Sequence, residues 1–315
     1  MSKVLILAAT ISGLGGVAIA APLAGDAFNP GQVEVVWSVS PASIPPAVWH
    51  YKNVPQSFSP AVISNLMALG DFRPSDAVKG FSWAVAAAIR FENPNKTRRL
   101  TILPAEGWVE YDNQEVRTGL KGPIEEVPDE AQAFRLGLLY LHKVGVDRSQ
   151  LATKYGSSDL LVFATKRERG RVASTHRAGS PEVLSRGVSF VRRSDGAAFT
   201  GTGPAGGFSV EFGNHARVAH LELVWRNLEP WQSCPVDSAQ IVQNIRKGRA
   251  VKTSPPALVP AEITKLEVLR LNLLYQGKLG EERQEFVHAF ADLEVRAEFR
   301  HTNATFHLSC PLSAD

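Results

Sequence analysis

Several short patterns in the chain contain residues that could do chemistry, and the most specific of them is rich in glycine. Residues 201–206 read Gly-Thr-Gly-Pro-Ala-Gly, a formal match to the G-x-G-x-x-G sequence of dinucleotide sites. That chemistry needs a helix directly after the glycines, so that the helix N-terminus faces a pyrophosphate. Here residues 207–212 alternate between apolar and polar side chains as a strand does, and Pro204 lacks a backbone donor. We therefore predict a loop between strands and no cofactor.

Histidines could bind a metal or act as a catalytic base. Of two close pairs, His301 and His307 would share a face of an extended strand, whereas His215 and His220 would lie on opposite faces. Neither pair has a carboxylate at ligand spacing or the H-E-x-x-H pattern of zinc sites. We therefore predict no metal site.

A hydrolase would need an activated nucleophile or a pair of carboxylates. The sequence around Ser82, Gly-Phe-Ser-Trp-Ala, lacks the second glycine of the G-x-S-x-G motif. Two carboxylates for acid and base catalysis can come together only in the fold, so the sequence cannot locate them. We predict no catalytic residue and keep an extracytoplasmic hydrolase of that kind as an alternative.

One basic cluster could contact a partner. Lys166, Arg167, Arg169 and Arg171 form the main concentration of positive charge. A solvated loop between two strands would explain them. Their functional alternative is contact with an anionic surface polymer, lipid headgroups or an acidic protein.

Aromatic residues near strand-like segments could stack on sugars or fill the core. Trp225 and Trp231 flank Arg226, and Trp108 lies close to Tyr111. Strand aromatics usually pack inside, whereas a carbohydrate-binding surface would expose a row of coplanar rings. A carbohydrate-binding surface module is therefore a second alternative.

The N-terminus has the features of an export signal. An apolar run over residues 4–20 follows Lys3, with Ala18 and Ala20 where a signal peptidase requires small side chains. We predict a signal peptide over residues 1–20 and a secreted or periplasmic protein. An uncleaved anchor is the alternative, and no later apolar run has the length of a transmembrane segment.

Export also bears on Cys234 and Cys310, the two cysteines of the chain. In an exported protein two cysteines are most simply one disulfide. Closing so long a loop contributes about 4–5 kcal/mol in the chain-entropy model. We predict this disulfide, because a redox pair would need a C-x-x-C spacing or a basic neighbour.

Composition places the chain among ordinary globular proteins. Its 315 residues are 44% hydrophobic and 21% charged, with a formal net charge of +3. This length permits two or three small domains, and this composition excludes a disordered chain. The charge is too balanced to indicate a polyanionic partner, and we expect no binding to nucleic acid.

Helical periodicity and end signals recur along the chain. Ser59 before Pro60 predicts a helix that ends at Gly70, and an acidic first turn at residues 128–130 predicts another that ends at Gly145. Further helices are predicted over residues 147–155 and 238–247, and the proline-rich residues 41–55 predict a break. Alternating segments predict strands over residues 33–40, 81–91, 99–103, 108–111, 160–165, 188–192, 208–212, 218–225, 266–275 and 285–299.

A helix followed by antiparallel strands therefore occurs two or three times in the predicted order of elements. This order predicts an α+β fold of repeated helix-plus-antiparallel-sheet modules. After the signal peptide, we place an N-terminal module over residues 21–125 and a middle module over residues 126–235. A C-terminal helix-plus-hairpin module over residues 236–315 either stands alone or belongs to the middle one.

Two helix endings carry a family resemblance. Residues 131–147 end in Leu-His-Lys-Val-Gly-Val, and residues 241–250 end in Arg-Lys-Gly-Arg-Ala, each before antiparallel strands. With the hairpin over residues 265–295, they resemble PepSY-type and related extracytoplasmic accessory modules of bacteria. The resemblance covers residue 128 to the end, and it implies non-catalytic modules that bind or inhibit another exported protein or regulate a membrane-bound sensor.

These observations together predict an exported, non-enzymatic binding or regulatory protein. Its expected partner is an exported or membrane-associated protein, with an anionic surface polymer as a further possibility. The hydrolase and the carbohydrate-binding module are the alternatives.

Overall fold

The computed structural model describes residues 26–40, 44–55, 57–81, 88–117, 124–152, 162–169, 182–200, 206–254, 259–277, 283–299 and 302–313. These residues form three β-sheets and four α-helices. The helices are α1 (Pro60–Leu69), α2 (Gln114–Arg117), α3 (Glu130–Lys143) and α4 (Ser238–Arg246). The strands are β1 (Asp26–Phe28), β2 (Glu34–Trp37), β3 (Ala47–Val54), β4 (Ile89–Glu92), β5 (Arg98–Leu103), β6 (Trp108–Asn113), β7 (Val162–Arg169), β8 (Glu182–Val191), β9 (Arg193–Ser194), β10 (Ala197–Thr200), β11 (Gly207–Phe212), β12 (Val218–Val224), β13 (Asn227–Pro235), β14 (Ala250–Lys252), β15 (Lys265–Gln276), β16 (Phe286–Val287), β17 (Ala289–Glu298) and β18 (Asn303–Pro311). The predicted signal peptide, residues 1–20, lies outside the described residues.

The ends of three helices follow the local sequence. Ser59, Asp129 and Asp237 each cap a helix by accepting a backbone N–H, at 3.2, 2.7 and 2.8 Å. The predictions of α1, α3 and α4 are therefore confirmed to within a residue or two. The short helix predicted from residue 147 is a 3-10 turn at Arg148–Gln150, and residues 153–155 lie outside the described part.

The seven-stranded sheet has the order β4-β5-β6-β12-β11-β8-β7, with every neighbouring pair antiparallel. Helices α1 and α3 cover one face, where Leu66 and Leu141 are fully buried. Gly137 lets α3 approach β8 closely, because a Cβ there would lie 3.0 Å from the ring of Phe190. One apolar core therefore joins both helices to a single sheet.

The eight-stranded sheet has the order β1-β14-β18-β17-β15-β10-β9, and β2 also pairs with β15. The predicted hairpin is confirmed, because β15 and β17 pair antiparallel along nearly their whole length. Strands β2 and β10 run parallel to β15. Helix α4 packs against β18 and buries Ile241 and Ile245 in the core of this sheet.

The small third sheet, β13-β3-β16, lies against the eight-stranded one. Tyr51 of β3 donates a hydrogen bond to Asp195 in the turn between β9 and β10 at 2.5 Å. Its hydroxyl also accepts from Ser194 at 2.8 Å. Tyr275 of β15 donates to the carbonyl of Trp49 at 3.0 Å. These bonds fix the small sheet to the larger one.

A buried polar network joins this sheet to the seven-stranded one. Glu106, just before β6, lies 3.5 Å from the guanidinium of Arg226, just after β12. Asn53 of β3 donates to the same carboxylate at 3.5 Å. Arg192, at the end of β8, donates to the carbonyl of Arg226 at 2.5 Å and stacks on Trp225 at 5.2 Å. Arg192 also lies 5.4 Å from the ring centre of Phe199 in β10, so all three sheets meet close to one buried ion pair.

The predicted fold class, α+β with repeated helix-plus-antiparallel-sheet modules, is wrong. The chain is mostly β, and its first two large helices share one sheet. Long-range pairing is the physical reason, because β6 pairs with β12 from Trp108 opposite Val224 to Asp112 opposite His220. The sheets also cross the predicted boundaries at residues 125 and 235.

Candidate functional site

The small sheet carries the most exposed aromatic side chains among the described residues. Its central strand β3 pairs with β13 along its whole length and with β16 only at Lys52 and Tyr51. Strand β13 forms an edge, and most of its side chains are exposed. A bulge at Trp231 interrupts the pairing of β13 with β3. The bulge turns this indole over the face of β3 that carries His50.

Three aromatic rings pack on that face, and we call Trp231, Phe286 and His288 the aromatic surface. The centroids of Trp231 and Phe286 are 4.4 Å apart, and their planes cross at 43°. His288 lies 6.4 Å from each of these rings. Trp231 is 43% exposed, whereas Phe286 and His288 are half-buried. The two inner rings therefore support an indole that stays open to solvent.

His50 lies beneath the aromatic surface and is only 6% exposed. Its ring meets the ring of His288 edge-on at 5.1 Å. The backbone N–H of Ala289 donates to Nδ1 of His50 at 3.1 Å, so this nitrogen is an acceptor and the ring is neutral. Burial, with the neighbouring His288, lowers the pKa of His50 to about 4, and burial also lowers the pKa of His288.

Charged and aromatic residues surround the aromatic surface. Lys52 of β3 pairs in register with Phe286 on one side and with Glu229 on the other. Trp49 lies on the opposite face of β3 by strand alternation and is 42% exposed. An exposed aromatic centre with a polar rim is the usual composition of a protein interface.

Two features of the edge strand β13 hinder a strand of another protein from pairing with it. Pro230 and Pro235 have no backbone N–H to donate, and the bulge at Trp231 distorts the ladder between them. A partner would therefore contact side chains on this sheet rather than extend it.

The other aromatic residues considered from the sequence are structural. Trp108 and Tyr111 are fully buried, and their polar atoms donate to Glu222 at 3.3 Å and to the carbonyl of Leu69 at 3.0 Å. Trp225 is buried and donates to Gln150 at 2.7 Å. Trp231 alone among the four is exposed.

The predicted basic contact lies on the seven-stranded sheet. Lys166, Arg167 and Arg169 belong to β7, the outermost strand, and are therefore in a strand rather than in the loop we expected. Arg171 lies outside the described residues.

The histidines that the structure describes do not converge on a metal site. His215 lies 3.0 Å from Glu126 and 3.2 Å from Glu125, which raise its pKa, chiefly through the hydrogen bond that the Glu126 carboxylate accepts. His220 lies 3.6 Å from Asp112 on the neighbouring strand. Within the described part of the chain, no group of three or more His, Cys, Asp or Glu residues could hold a metal ion. His301 and residues 201–205 lie outside that part.

Two carboxylates do face each other across the seven-stranded sheet. Glu110 of β6 is directly opposite Glu222 of β12, on the face away from α1 and α3. Like charges in this position destabilise a sheet. Glu222 accepts from the indole of Trp108 at 3.3 Å, and on the same face Glu211 accepts from Ser185 at 2.5 Å. Glu222 and Glu211 on this polar face are therefore engaged in hydrogen bonds within the sheet.

The predicted disulfide between Cys234 and Cys310 is absent from the structure, which has two buried free thiols in one core. Cys310 Sγ lies 3.7 Å from the carbonyl of Ile241 in α4, and Cys234 Sγ lies 3.7 Å from its neighbouring carbonyl, that of Pro235. The thiols therefore contact different parts of the backbone. Burial raises the pKa of Cys234, and it raises that of Cys310 to about 12.

These thiols give a direct test of the structure. We expect unreduced protein to show both thiols when denatured and to react slowly when native, because burial suppresses the reactive thiolate. The measurement is a thiol titration with and without denaturant, with reduced protein as the reference for a full count. A denatured sample without free thiols before reduction would establish the disulfide instead.

Comparisons with known proteins give a similarity in structure but none in sequence. No protein-family model and no curated protein matches the chain. It is similar to the crystal structure of an uncharacterized protein from Eubacterium rectale ATCC 33656, with a TM-score of 0.48 and 8% sequence identity. The similarity covers 88% of this chain and 86% of that chain, and it is too weak to support an argument.

A membrane-spanning helix is not found in the described part of the chain. None of the helices there combines the length and the apolar character that crossing a bilayer requires.

Proposed function

We propose that the chain is an exported, non-enzymatic binding or regulatory protein that acts on another extracytoplasmic protein. The observation that supports this most directly is the exposed Trp231, held in place by Phe286 at 4.4 Å. The signal-like residues 1–20 support export to the outside or the periplasm. The resemblance of residues 128–315 to PepSY-type accessory modules supports the same role.

Tryptophan has a large effect in protein interfaces because it removes a wide apolar area from water at a small cost in entropy. Such anchors often account for most of the binding energy, inside a rim of polar residues that excludes water. The aromatic surface has this composition, with Lys52 and Glu229 beside it. We therefore place the partner's contact at Trp231.

The two alternative functions, a carbohydrate-binding module and a hydrolase, require different features of the structure. A sugar-binding surface favours coplanar rings, but the planes of Trp231 and Phe286 cross at 43°. The opposed Glu110 and Glu222 favour a hydrolase as the second candidate. Hydrolysis of chromogenic glycosides distinguishes this candidate, because a carboxylate-pair enzyme would lose it with Glu110→Gln and a binding protein would not show it.

Trp231→Ala is expected to weaken the complex with the partner by about tenfold or more, because it removes the exposed anchor. A photo-cross-linking residue at Gln232, next to the anchor, first captures the partner from exported proteins of the host. Mass spectrometry identifies the adduct, and the purified partner is then titrated with each variant. Leu139→Ala is the matched control, because this leucine on α3 is 47% exposed and remote from the small sheet.

Equal affinity of wild type and Trp231→Ala for the cross-linked partner would contradict the proposal. A quenching of tryptophan fluorescence by an oligosaccharide, lost in Trp231→Ala, would support the carbohydrate-binding alternative. Thermal unfolding of each variant shows whether a loss of binding reflects a loss of fold.

A further inference from the structure

A cleft of about 150 Å³ opens between helices α1 and α3 and the seven-stranded sheet. Its walls are the C-terminal ends of α1 and α3, the end of β6 and the start of β12. Asn65, Asn113, Tyr140, Lys143 and Arg217 provide its polar lining. The cleft is therefore separate from the aromatic surface and from the polar sheet face.

Two positive side chains line this cleft without a carboxylate close to either. Among the described residues, no Asp or Glu oxygen lies within 4.0 Å of the Lys143 ammonium or the Arg217 guanidinium. Asp71, which like Arg217 acts on the pKa of Tyr111, pairs with another cation, Arg98, at 3.0 Å. Glu125 and Glu126 likewise contact His215. The lining therefore keeps a positive charge.

Two helices end at the cleft, and the negative ends of their dipoles would oppose an anion. Side chains satisfy the exposed carbonyls there. Tyr111 donates to the carbonyl of Leu69 at 3.0 Å, and Asn65 donates to that of Lys143 at 2.9 Å. Arg98 donates to the carbonyl of Gly70 at 2.8 Å. These bonds satisfy three carbonyls at the helix ends and offset part of their negative charge.

The remaining groups suit an oxyanion. A guanidinium can form two parallel hydrogen bonds to a carboxylate or phosphate, and an ammonium adds a point charge. Burial raises the pKa of Tyr140, so its phenol stays protonated and able to donate. A volume of about 150 Å³ equals roughly five water molecules, which fits a small group rather than a polymer.

We infer that this cleft binds a small oxyanion, a phosphate or carboxylate group, between Lys143 and Arg217. The inference goes beyond the proposed protein contact and does not depend on it. Free phosphate, a phosphate ester and the carboxylate of a peptide would all present the same chemistry to these two cations.

Calorimetric titration of the full chain with inorganic phosphate and with acetate, at constant ionic strength, tests the inference. We expect saturable binding of at least one anion and a loss of roughly tenfold in affinity for Arg217→Gln or Lys143→Gln. Both residues are exposed, so the variants should fold as the wild type does. The matched control is Lys247→Gln, at the end of α4, which should bind as wild type does.

Each outcome decides the inference. Phosphate binding without acetate binding supports a phosphate site, and acetate binding at similar strength supports a carboxylate site. No saturable binding of either anion, or equal affinity in wild type and Arg217→Gln, would overturn it. Trp231→Ala should leave the anion titration unchanged, so the result is independent of the proposed protein contact.

Discussion

Glu106→Gln is expected to lower the free energy of unfolding by about 3 kcal/mol. Glu106 and Arg226 are each 5% exposed, so water does not screen their charges. Removing the carboxylate leaves the buried guanidinium without the acid it contacts at 3.5 Å. The long distance places the expected loss at the lower end of the range for a broken buried pair.

The effect should extend beyond one contact because of where the pair lies. Asn53 donates to Glu106, and Arg192 donates to the carbonyl of Arg226. These contacts join the small sheet to the seven-stranded sheet. We therefore expect the aromatic surface to lose its fixed position relative to the helical face when the pair is broken.

Chemical denaturation followed by tryptophan fluorescence measures the change. Glu34→Gln is the control, because this exposed strand residue should shift stability by less than about 0.5 kcal/mol. Combining Glu106→Gln with Arg226→Met should cost less than the sum of the two single variants. Strict additivity would show that the two side chains do not interact.

Local signals in the sequence predicted some elements well. The cap at Ser59 and the acidic first turn at residues 128–130 located α1 and α3, because such signals need only the adjacent backbone. Alternation located β11, β12 and the β15–β17 hairpin for the same reason. The pairing of β6 with β12 joins segments about a hundred residues apart, and no local pattern specifies it.

Two of the three strands that carry the candidate site, β3 and β13, were missed for a physical reason, whereas Phe286 and His288 lie within the predicted strand 285–299. Residues 41–55 were interpreted as a proline-rich break, but β3 fits between the prolines. Strand β13 tolerates Pro230 because it is an edge strand with a bulge. The run of Val, Trp, His and Tyr at residues 48–51 was the available signal, since such residues favour strands. The exposed Trp231 lies at a bulge, and no sequence pattern shows where a bulge occurs.

Acidification from neutral pH is expected to destabilise the protein through His50. The pKa of His50 falls from 6.5 to about 4 on folding, because burial disfavours the charged imidazolium and the adjacent His288 adds to this effect. The N–H of Ala289 also occupies Nδ1, so a proton there would break that bond. Because its pKa is lowered, His50 binds fewer protons in the folded state than in the unfolded state. The stability that the neutral ring contributes to the fold is therefore fully present above pH 6.5 and is lost as the pH falls towards 4.

The full loss from this residue is about 3 kcal/mol, and about 2 kcal/mol of it should occur by pH 5, before most carboxylates titrate. His50→Asn removes the titration and keeps an acceptor oxygen near the position of Nδ1. Unfolding free energies of both proteins at intervals from pH 7 to pH 5 measure the difference. The variant should retain only smaller contributions of opposite sign, from the lowered pKa of His288 and the raised pKa of His215. Parallel pH profiles would show that His50 is not the responsible group, whereas a flattened profile would assign the loss of stability to the protonation of His50.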